Sequence, residues 1–537
     1  MKIQNSTVRE AHEFTTVMII FLWLVVALSV IVHWFYRVNN EYYVLAFFAR
    51  RVKARNGKSL ENLAPIAPQR YFFGNCFDLY GKNPAEVFQH MRDLAKGFGR
   101  SYLQYGMGIS HYNVIDAHTT ESILNHPNLI TKGMAYNFLH PFLKTGVLTS
   151  KAKKWHTRRG MLTRTFHFNI LNQFQEIFIA ESLKFVQQFE NDEISLVSLS
   201  EPVARFTLNS ICETAMGIKL DEMAERGNRY RENFLMIDEC FIRRLRNPLY
   251  WGDYFYNIFA ARDYDAALKV CHDFSSEIIA KRRILLEDEL EYRRATQTAD
   301  DDLCVPRGKL FAMLDTLICA EKDGLIDHSG ICEEVDTLVA EGHDTTAVGL
   351  IFGLMNMSIY EEEQDICYQE IQEHIHDDLS NLDLNQLSKL KHLEYFLKET
   401  MRLYPAVPML ARQAVQETEL SSGLILPKRS QINIHVFDIH RNPKYWDEPE
   451  EFRPERFLPD NCQKRHTYAY IPFSAGQRNC LGQKYAMQEM KTLLVVILKK
   501  FKILPVIDPK SIVFQTGITL RTQNEIKVKF VKRKVSS

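Results

Sequence analysis

The stretch FSAGQRNCLG, residues 473–482, sets a single cysteine between glycines and beside an arginine. The apolar spacing that follows predicts a helix over 484–498. A thiolate stays deprotonated and binds metal where positive charge or hydrogen-bond donors surround it. Arg478 supplies a permanent cation, and the N-terminus of the predicted helix supplies backbone N–H groups. The stretch therefore predicts that Cys480 is the axial thiolate ligand of a haem iron.

The two glycines of this stretch predict backbone conformations and close approaches that a Cβ atom would block. An inert cysteine in a buried turn is the alternative interpretation. The stretch resembles the cysteine signature of the cytochrome P-450 monooxygenases, in which Phe, Gly, Arg, Cys and Gly stand at fixed positions. Each of those positions is matched here. The resemblance implies that the haem-binding loop is formed around Cys480 by Phe473, Gly476, Arg478 and Gly482.

Composition limits the classes of protein to which the chain can belong. Of its 537 residues 46% are hydrophobic, and 66 basic side chains balance 66 acidic ones. Zero net charge argues against nucleic acid as a partner. The ten cysteines are scattered without a CxxC pair, which favours a reducing compartment. No Pro/Gly/Ser-rich linker follows residue 70, so residues 71–537 are predicted to form one large domain.

The N-terminal segment differs in kind from the rest of the chain. No Asp, Glu, Lys or Arg occurs from Phe14 to Tyr36, and a run of about 20 apolar residues can cross a bilayer. The cations that follow this apolar run predict that the part of the chain on its C-terminal side faces the cytosol. A cleaved signal peptide is the alternative, but no small-x-small cleavage site follows the run. We therefore expect residues 1–36 to form a lumenal tip, with a glycosylation sequon at Asn5, and a transmembrane anchor.

After the anchor, residues 37–70 are expected to form a basic, proline-containing linker, with a stiff extended hinge at 63–68. Apolar residues then recur mostly at helical spacing, and the strand-like pieces are short. The clearest helical stretches are 180–189, 266–284 and 332–357, and the strand-like ones are 101–114, 431–436 and 526–530. The sequence thus predicts a mainly α protein with small β-sheets, as the resemblance to the cytochrome P-450 fold also implies.

The segment AEGHDTT, residues 340–346, places polar residues inside a long apolar helix. Glycine and buried polar groups in mid-helix cost stability, and such violations are expected at functional sites. We expect Asp344 and Thr345 to deliver protons to dioxygen, and Gly342 to make room for it. A buried helix with a back-bonded threonine and a solvated aspartate is the alternative. The segment resembles the oxygen-activation helix of the monooxygenases.

Glu341 precedes Thr345 by four residues, so both lie on one face of that helix. The longer run 334–346 resembles the signature of the fatty-acid ω-hydroxylases and their insect relatives. In that family the matching glutamate becomes esterified to a haem methyl group. The resemblance makes Glu341 the candidate for covalent haem attachment, with an unlinked glutamate as the alternative.

Glu399 and Arg402, at positions i and i+3 of a predicted helix, match the ExxR pair of the same family. Arg456 is expected to complete a charge-assisted network that fixes the loop of Cys480. An ExxR pair alone is common in helices. This pair becomes specific because it stands after Thr345 and before Cys480 along the chain.

Haem carries two propionates that need cations. Residues 155–159, WHTRR, resemble the WxxxR element of the family, which implies that Trp155 and Arg159 face the propionates. Arg412 and Arg478 are further candidates. On the cysteine side of the haem, a basic face is expected to dock an acidic redox partner, with an ordinary solvated face as the alternative. Its members are Lys151, Lys153, Lys154, Arg158 and Lys484.

The resemblance covers the chain after residue 70 and is closest to the ω-hydroxylase family in an insect-like form. It implies a microsomal enzyme of the endoplasmic reticulum membrane that uses haem b and O2 to hydroxylate a fatty acid, terpenoid, hormone-like lipid or xenobiotic, and at a terminal carbon. No dinucleotide-binding glycine loop is present, so NADPH is expected to act through NADPH–cytochrome P-450 reductase, with cytochrome b5 as a second candidate partner. A haem-thiolate lipid carrier or sensor and a peroxide isomerase are the alternative functions.

Overall fold

The computed structural model describes residues 18–32, 52–55, 57–68, 74–106, 108–166, 168–296, 312–376, 378–379 and 382–534. The α-helices in these ranges are α1 (18–32), α2 (Leu60–Leu63), α3 (Pro84–Phe98), α4 (Ala117–Leu124), α5 (His140–Leu143), α6 (Ala152–Thr165), α7 (Phe168–Gln187), α8 (Ser200–Thr214), α9 (Ala224–Arg246), α10 (Asp253–Phe259), α11 (Ala261–Thr296), α12 (Met313–Lys322), α13 (His328–Ile359), α14 (Glu361–His374), α15 (Leu384–Lys389), α16 (Lys391–Leu403), α17 (Val436–Ile439), α18 (Pro459–Gln463) and α19 (Gln483–Lys500).

The strands are short and belong to four small sheets. They are β1 (Lys53–Ala54), β2 (Tyr102–Gly106), β3 (Ile109–Val114), β4 (Ile194–Ser198), β5 (Leu410–Gln413), β6 (Thr418–Glu419), β7 (Leu424–Leu426), β8 (Gln431–Ile434), β9 (Phe501–Pro505), β10 (Phe514–Gln515), β11 (Arg521–Thr522) and β12 (Lys527–Lys532). The strand orders are β2-β3-β8-β5, β1-β7-β6, β4-β12-β9 and β10-β11. With helices making up most of the described chain, the predicted fold class is confirmed.

Helix α13 lies at the centre of the protein because it is apolar on nearly every side. Its residues are buried along most of its length, from Ile331 to Ser358, as expected for a helix without a polar face. It packs against α8, α11, α16 and α19. Any polar side chain on this helix therefore faces the protein interior, and this holds for the segment 340–346.

Several predicted elements appear at nearly the expected positions. The helix predicted over 484–498 is α19, Gln483–Lys500, and the strand-like stretch 101–114 is the antiparallel hairpin of β2 and β3. The stretch 431–436 gives β8 only as far as Ile434, because Val436 already begins α17. Strand β8 runs parallel to β3, with His111 opposite Gln431.

The prediction of a hinge at 63–68 is wrong. The backbone N–H of Leu103 donates to Pro65 O at 2.8 Å, and the N–H of Ala67 donates to Leu103 O at 2.8 Å. Ala64 and Ala67 are buried. The two prolines do favour extended backbone, but here that backbone pairs with the edge of β2 and belongs to the globular body.

The structure describes residues 18–32 of the predicted anchor, whereas the rest of residues 1–36, Asn5 included, lies outside the described residues. Residues 18–32 are helical, and their apolar side chains, such as Phe21 and Trp23, are exposed. Within the part of the chain that the structure describes, no helix is both long enough and apolar enough to span a bilayer. The transmembrane anchor therefore stays a prediction.

Candidate active site

The loop 473–482 is held by its own backbone. The N–H of Cys480 donates to Phe473 O at 2.9 Å, which closes the loop around a short 3-10 helix, Gly476–Arg478. Gly476 has φ +69°, and a Cβ atom there would lie 2.2 Å from the carbonyl oxygen of Leu124. Only glycine fits at this position, because both the left-handed backbone and the close approach exclude a side chain.

The sequence predicted the same need for glycine at Gly482, and there the prediction is wrong. Its φ is −90°, and a Cβ atom would lie 3.9 Å from the ring of Phe166, an ordinary contact. Backbone geometry therefore does not require glycine there. Gly482 does line the central cavity next to Cys480, and its N–H interacts with the Cys480 thiol.

Cys480 faces a cavity of about 280 Å³ that is lined largely by apolar side chains. The surface of Cys480 is exposed to this cavity. Because the protein surrounds the cavity, the thiol is nevertheless buried, and burial raises its pKa to about 11. The carboxyl of Glu341 raises that pKa further, whereas the Gly482 N–H, Arg159 and Lys132 lower it. The protein alone therefore keeps Cys480 protonated, and a bound metal ion would have to displace the proton.

Arg478 is held by main-chain carbonyl oxygens and by an aromatic ring. Its guanidinium donates to Val147 O at 3.1 Å and to Ser150 O, and it stacks 4.4 Å above the ring of Trp155. Trp155 itself is buried and contacts this arginine. Arg478 thereby joins the cysteine loop to the segment that precedes α6.

Arg159 contacts the cysteine loop from the other side. Its two terminal nitrogens donate to Asn479 O and Asn479 Oδ1, each at 2.7 Å. Arg159, Trp155 and Arg478 all line the cavity. The structure thus brings the WxxxR element and the cysteine loop together.

Lys132 is a cavity residue that sequence reasoning missed. It is buried, its ammonium lies 4.7 Å from the centre of the Tyr136 ring, and its backbone bridges to that of Arg412. Burial lowers the pKa of Lys132 well below its usual value, and the positive charges of Arg412 and Arg478 lower it further. No motif surrounds Lys132, so only the fold could reveal it.

The cavity contains more positive than negative charge. Burial and the neighbouring Arg412 lower the pKa of Arg478 to about 10. Among the described residues that line the cavity, the acids are Glu341 and Asp344, and Asp344 is paired elsewhere. Arg478 Nε is buried without a hydrogen-bond partner, as is Nη2 of Arg412, which is not among the residues that line the cavity. An anionic ligand would pair with the cations on the cavity wall, and together with the thiol and the apolar walls they fit haem with its two propionates.

Glu341 and Thr345 lie on the cavity face of α13. The Thr345 hydroxyl donates to Glu341 O at 2.7 Å. Burial raises the pKa of the Glu341 carboxyl to about 7, although Lys132, Arg159 and Arg478 lower it. Helix α13 stays continuous through Gly342, where a Cβ atom would lie 2.8 Å from the side chain of Ile211. Gly342 therefore permits close packing of α13 on α8, and the expected opening of the helix is not present.

Asp344 lies in a buried ion-pair cluster. Its carboxylate accepts hydrogen bonds from Arg521 at 2.8 and 3.0 Å and from the Thr519 hydroxyl at 2.7 Å. Arg521 also donates to Asp238 on α9 at 2.8 Å. Burial raises the pKa of Asp344, but Arg521, His343 and the hydrogen bonds outweigh it and hold that pKa below its usual value. Arg521 and Asp238 were not identified from the sequence.

Glu399, Arg402 and Arg456 meet as the sequence suggested. Arg402 donates to both oxygens of Glu399 at 2.7 Å, and Arg456 Nε lies 3.3 Å from Glu399 Oε1. Arg402 also donates to the carbonyl oxygens of His440, Pro449 and Glu451, at 3.0, 2.6 and 2.9 Å. One fully buried guanidinium therefore fixes the chain from 440 to 451.

His440 connects this network to the cysteine loop. Its Nε2 accepts the Ile471 N–H at 2.8 Å, so Nδ1 carries the proton and donates to Arg402 O at 3.2 Å. Burial lowers the pKa of His440 to about 3, which keeps the ring neutral. Ile471 stands two residues before Phe473, so the brace reaches the cysteine loop through a histidine for which the sequence indicated no role.

One of the five residues of the predicted basic face does not lie on the surface. Arg158 is buried and lies 3.7 Å from Glu334, because it faces α13 and not solvent. Lys154 is paired with Glu333 at 2.6 Å. Lys151, Lys153 and Lys484 are exposed. What remains of the basic face is therefore smaller than the sequence predicted.

Comparison with known proteins adds independent information. The family model "Cytochrome P450" matches residues 65–530. The chain is 72% identical to a probable cytochrome P450 4p2 of Drosophila melanogaster over 516 residues, which is 96% of this chain and 99% of that one. It is 66% identical to cytochrome P450 4p1 of the same organism, over 96% of this chain and all of the relative. It is 34% identical to cytochrome P450 4V2 of Mus musculus, over 89% of this chain and 91% of the relative.

Proposed function

The chain belongs to the cytochrome P450 family of haem-thiolate monooxygenases, and we propose that it hydroxylates a fatty acid or a similar lipophilic compound at a terminal carbon. The observation that carries this proposal is the largely apolar cavity with Cys480 on one wall and Glu341 and Thr345 on another. Apolar walls select a lipophilic substrate by removing its surface from water. A substrate in this cavity would lie next to the residues that would hold the cofactor.

We propose separate roles for the residues that bind the cofactor, the substrate and the redox partner. Haem, held by Cys480 and by the cations Lys132, Arg159, Arg412 and Arg478, supplies the dioxygen chemistry when it is bound. The apolar side chains hold the substrate and exclude bulk water. Electrons are proposed to come from NADPH through NADPH–cytochrome P450 reductase, with cytochrome b5 as a second donor. The smaller basic face around Lys153 and Lys484 is the surface we propose for that docking.

Proton supply is the proposed task of Asp344 and Thr345. Thr345 can rotate its hydroxyl from Glu341 O toward the cavity without disturbing the helix. Asp344 is more constrained, because its bonds to Arg521 and Thr519 favour the ionised carboxylate. A proton can pass through Asp344 only after the pair with Arg521 has opened. We therefore propose that Thr345 can supply a proton at any time, whereas Asp344 supplies one only when its ion pair with Arg521 has opened.

The test of this function is a reconstitution on lipid vesicles. We propose the endoplasmic reticulum membrane as the location, with residues 1–36 as anchor, so the full-length protein should first sediment with the vesicles. With reductase, NADPH and labelled O2, we expect one labelled oxygen atom in the product and one in water. Product formed from a lipid peroxide without NADPH would favour the isomerase. A lipid that binds unchanged, without NADPH oxidation, would favour the carrier.

Glu341 is proposed to form an ester with a haem methyl group. The bond joins a carboxyl oxygen to the methyl carbon, which loses one hydrogen, and the step releases two protons and two electrons in all. Reduction of O2 to two molecules of water accepts those two electrons together with two from NADPH. The support is the position of a carboxyl group with a pKa of about 7 on the cavity wall.

Replacing Glu341 with glutamine is expected to abolish this attachment, because an amide side chain cannot form the ester. After turnover and denaturation in acid, haem should stay on the wild-type peptide and leave the Glu341→Gln peptide. The matched control is Glu333→Gln, on the same helix but paired with Lys154 outside the cavity lining. Complete release of haem from the wild-type protein would contradict the ester and leave the monooxygenase proposal intact.

A further inference from the structure

The loop Lys144–Lys151 joins α5 to α6, and we call it the bridging loop. It is closed by its own backbone, because the N–H of Ser150 donates to Gly146 O at 2.9 Å. Lys144 has φ +44°, and Ala152, directly after the loop, has φ +46°. Residues other than glycine keep a positive φ only where the surrounding structure holds the chain. The contacts on the two sides of the bridging loop show what holds it.

On one side the bridging loop lies directly against α13. A Cβ atom on Gly146 would lie 2.2 Å from Thr337 Oγ1 and 2.6 Å from Glu333 O, so the loop backbone touches the helix. At this contact the N–H of Val147 donates to Glu334 Oε2 at 2.9 Å, and both residues are buried. A buried N–H without a partner is costly, so this hydrogen bond sets the position of the loop on α13.

On its other side the bridging loop holds Arg478. The guanidinium donates to Val147 O at 3.1 Å and to Ser150 O. Both hydrogen bonds that Arg478 donates within the described part of the chain therefore end on this loop. Val147 connects the two sides, because its N–H bonds to Glu334 on α13 and its C=O accepts from Arg478 of the cysteine loop.

Arg158 is the other group close to Glu334. Its Nε lies 3.7 Å from Glu334 Oε1, and that oxygen has no hydrogen-bond partner. Burial raises the pKa of the Glu334 carboxyl to about 7, although the Val147 N–H and Arg158 lower it. The 2.9 Å bond to Val147 is therefore the main contact of this carboxyl. Glu334 is not among the residues that line the cavity, so it acts there only through its neighbours.

We propose that Glu334 is a positioning residue for the haem: it holds the bridging loop on α13, and the loop in turn directs Arg478 toward the propionates. This inference rests on the proposed function, in which Arg478 helps to hold the haem, and deepens it by adding a residue outside the cavity. Glu334 contributes a hydrogen-bond acceptor for a neutral N–H. Glutamine should therefore replace it, and alanine should not.

The first test uses the full-length, haem-loaded protein and two measurements. Amide hydrogen exchange on peptides that cover residues 145–151 reports on the bridging loop, and haem transfer to excess apomyoglobin reports on haem binding. In Glu334→Ala the Val147 N–H should exchange about 10-fold faster, because it has lost its acceptor. Haem should also leave about 10-fold faster, as when a group that orients a metal ligand is removed. In Glu334→Gln both rates should stay close to those of the wild-type protein.

A double-mutant cycle tests whether Glu334 acts through Arg478. Arg478→Lys keeps the positive charge but lacks the planar fork that bonds to two carbonyl oxygens. This variant should release haem faster on its own, and adding Glu334→Ala should then change the release rate by less than about twofold. An equally large effect of Glu334→Ala in both backgrounds would contradict the proposed path.

Gly146→Ala disturbs the same contact from the side of the loop, and it serves if Glu334→Ala does not fold. The added methyl group has no room against Thr337 and should push the loop off α13, so haem release should again become faster. Glu181→Ala is the control for loss of a buried glutamate. Glu181 lies on α7, accepts from Asn209 Nδ2 at 3.0 Å and does not line the cavity. Its loss should lower stability and leave both rates unchanged.

The inference is overturned if Glu334→Ala, or Gly146→Ala in its place, releases haem at the wild-type rate. It is also overturned if Glu334→Gln is as impaired as Glu334→Ala, or if Arg158→Met reproduces the loss, since the ion pair would then be what matters. Each of these results leaves the monooxygenase proposal standing. Failure of the wild-type protein to bind haem through Cys480 would overturn the inference and the proposed function together.

Discussion

Replacing Arg402 with alanine is expected to lower the free energy of unfolding by about 3–5 kcal/mol, because it leaves Glu399 as a buried charge short of its main partner. The substitution also removes three hydrogen bonds to the carbonyl oxygens of His440, Pro449 and Glu451. Such orphaned groups each carry a desolvation cost. Equilibrium denaturation measures the change, and the haem content of the purified protein reports on the cysteine loop.

The control for this prediction is Arg205→Ala. Arg205 pairs with Glu201 four residues earlier on α8, but both side chains are about half exposed. An exposed pair of this kind contributes only about 0.3–0.5 kcal/mol. If Arg402→Ala were no more destabilising than Arg205→Ala, the buried network would not be what holds the segment 440–451.

Replacing Cys480 with serine is expected to abolish hydroxylation and to change the haem spectrum. A hydroxyl group cannot serve as the thiolate ligand that favours O–O cleavage. Changes to outer-shell groups alone cost about 10–100-fold in metal affinity or activity, so loss of the ligand itself should cost at least about 100-fold. Product formation and the absorbance of the reduced, carbon monoxide-bound protein measure the two effects.

Cys462→Ser is the matched control, because Cys462 is exposed and lies outside the lining of the central cavity. It should keep both the spectrum and the activity of the wild-type protein. A Cys480→Ser protein that still showed the thiolate spectrum would contradict the assignment of the ligand. Another cysteine of the chain would then have to supply the thiolate.

Part of this site could be predicted from the sequence because its residues stand in local patterns. Cys480 and Gly476 are seven residues or fewer from the other members of their motif, and Glu399 and Arg402 share one helical turn. Arg456 joined them only through the order of motifs along the chain. The close approach of Gly476 to Leu124 O explains physically why the motif demands glycine there.

The rest depends on contacts between distant parts of the chain. Arg521 and Asp344 are 177 residues apart, and Arg521 and Asp238 are 283 apart, so no local pattern connects them. Lys132 belongs to no recognisable sequence motif. Arg158 was expected on the surface because it follows a run of basic residues, yet the helical periodicity turns it inward toward Glu334. Sequence patterns assign a residue to a helix, but they do not reveal which neighbour that face meets.

The pairing of β3 with β8 has a consequence for synthesis on the ribosome. The paired residues, such as His111 and Gln431, lie 320 residues apart. At about 5–20 residues per second, the edge of β3 waits roughly 15–65 s for its partner to be made. Strand β4 waits as long for β12, which is close to the C-terminus. Unpaired strand edges invite wrong pairing, so the nascent chain is most open to misfolding after its helices have formed and before its last strands have emerged.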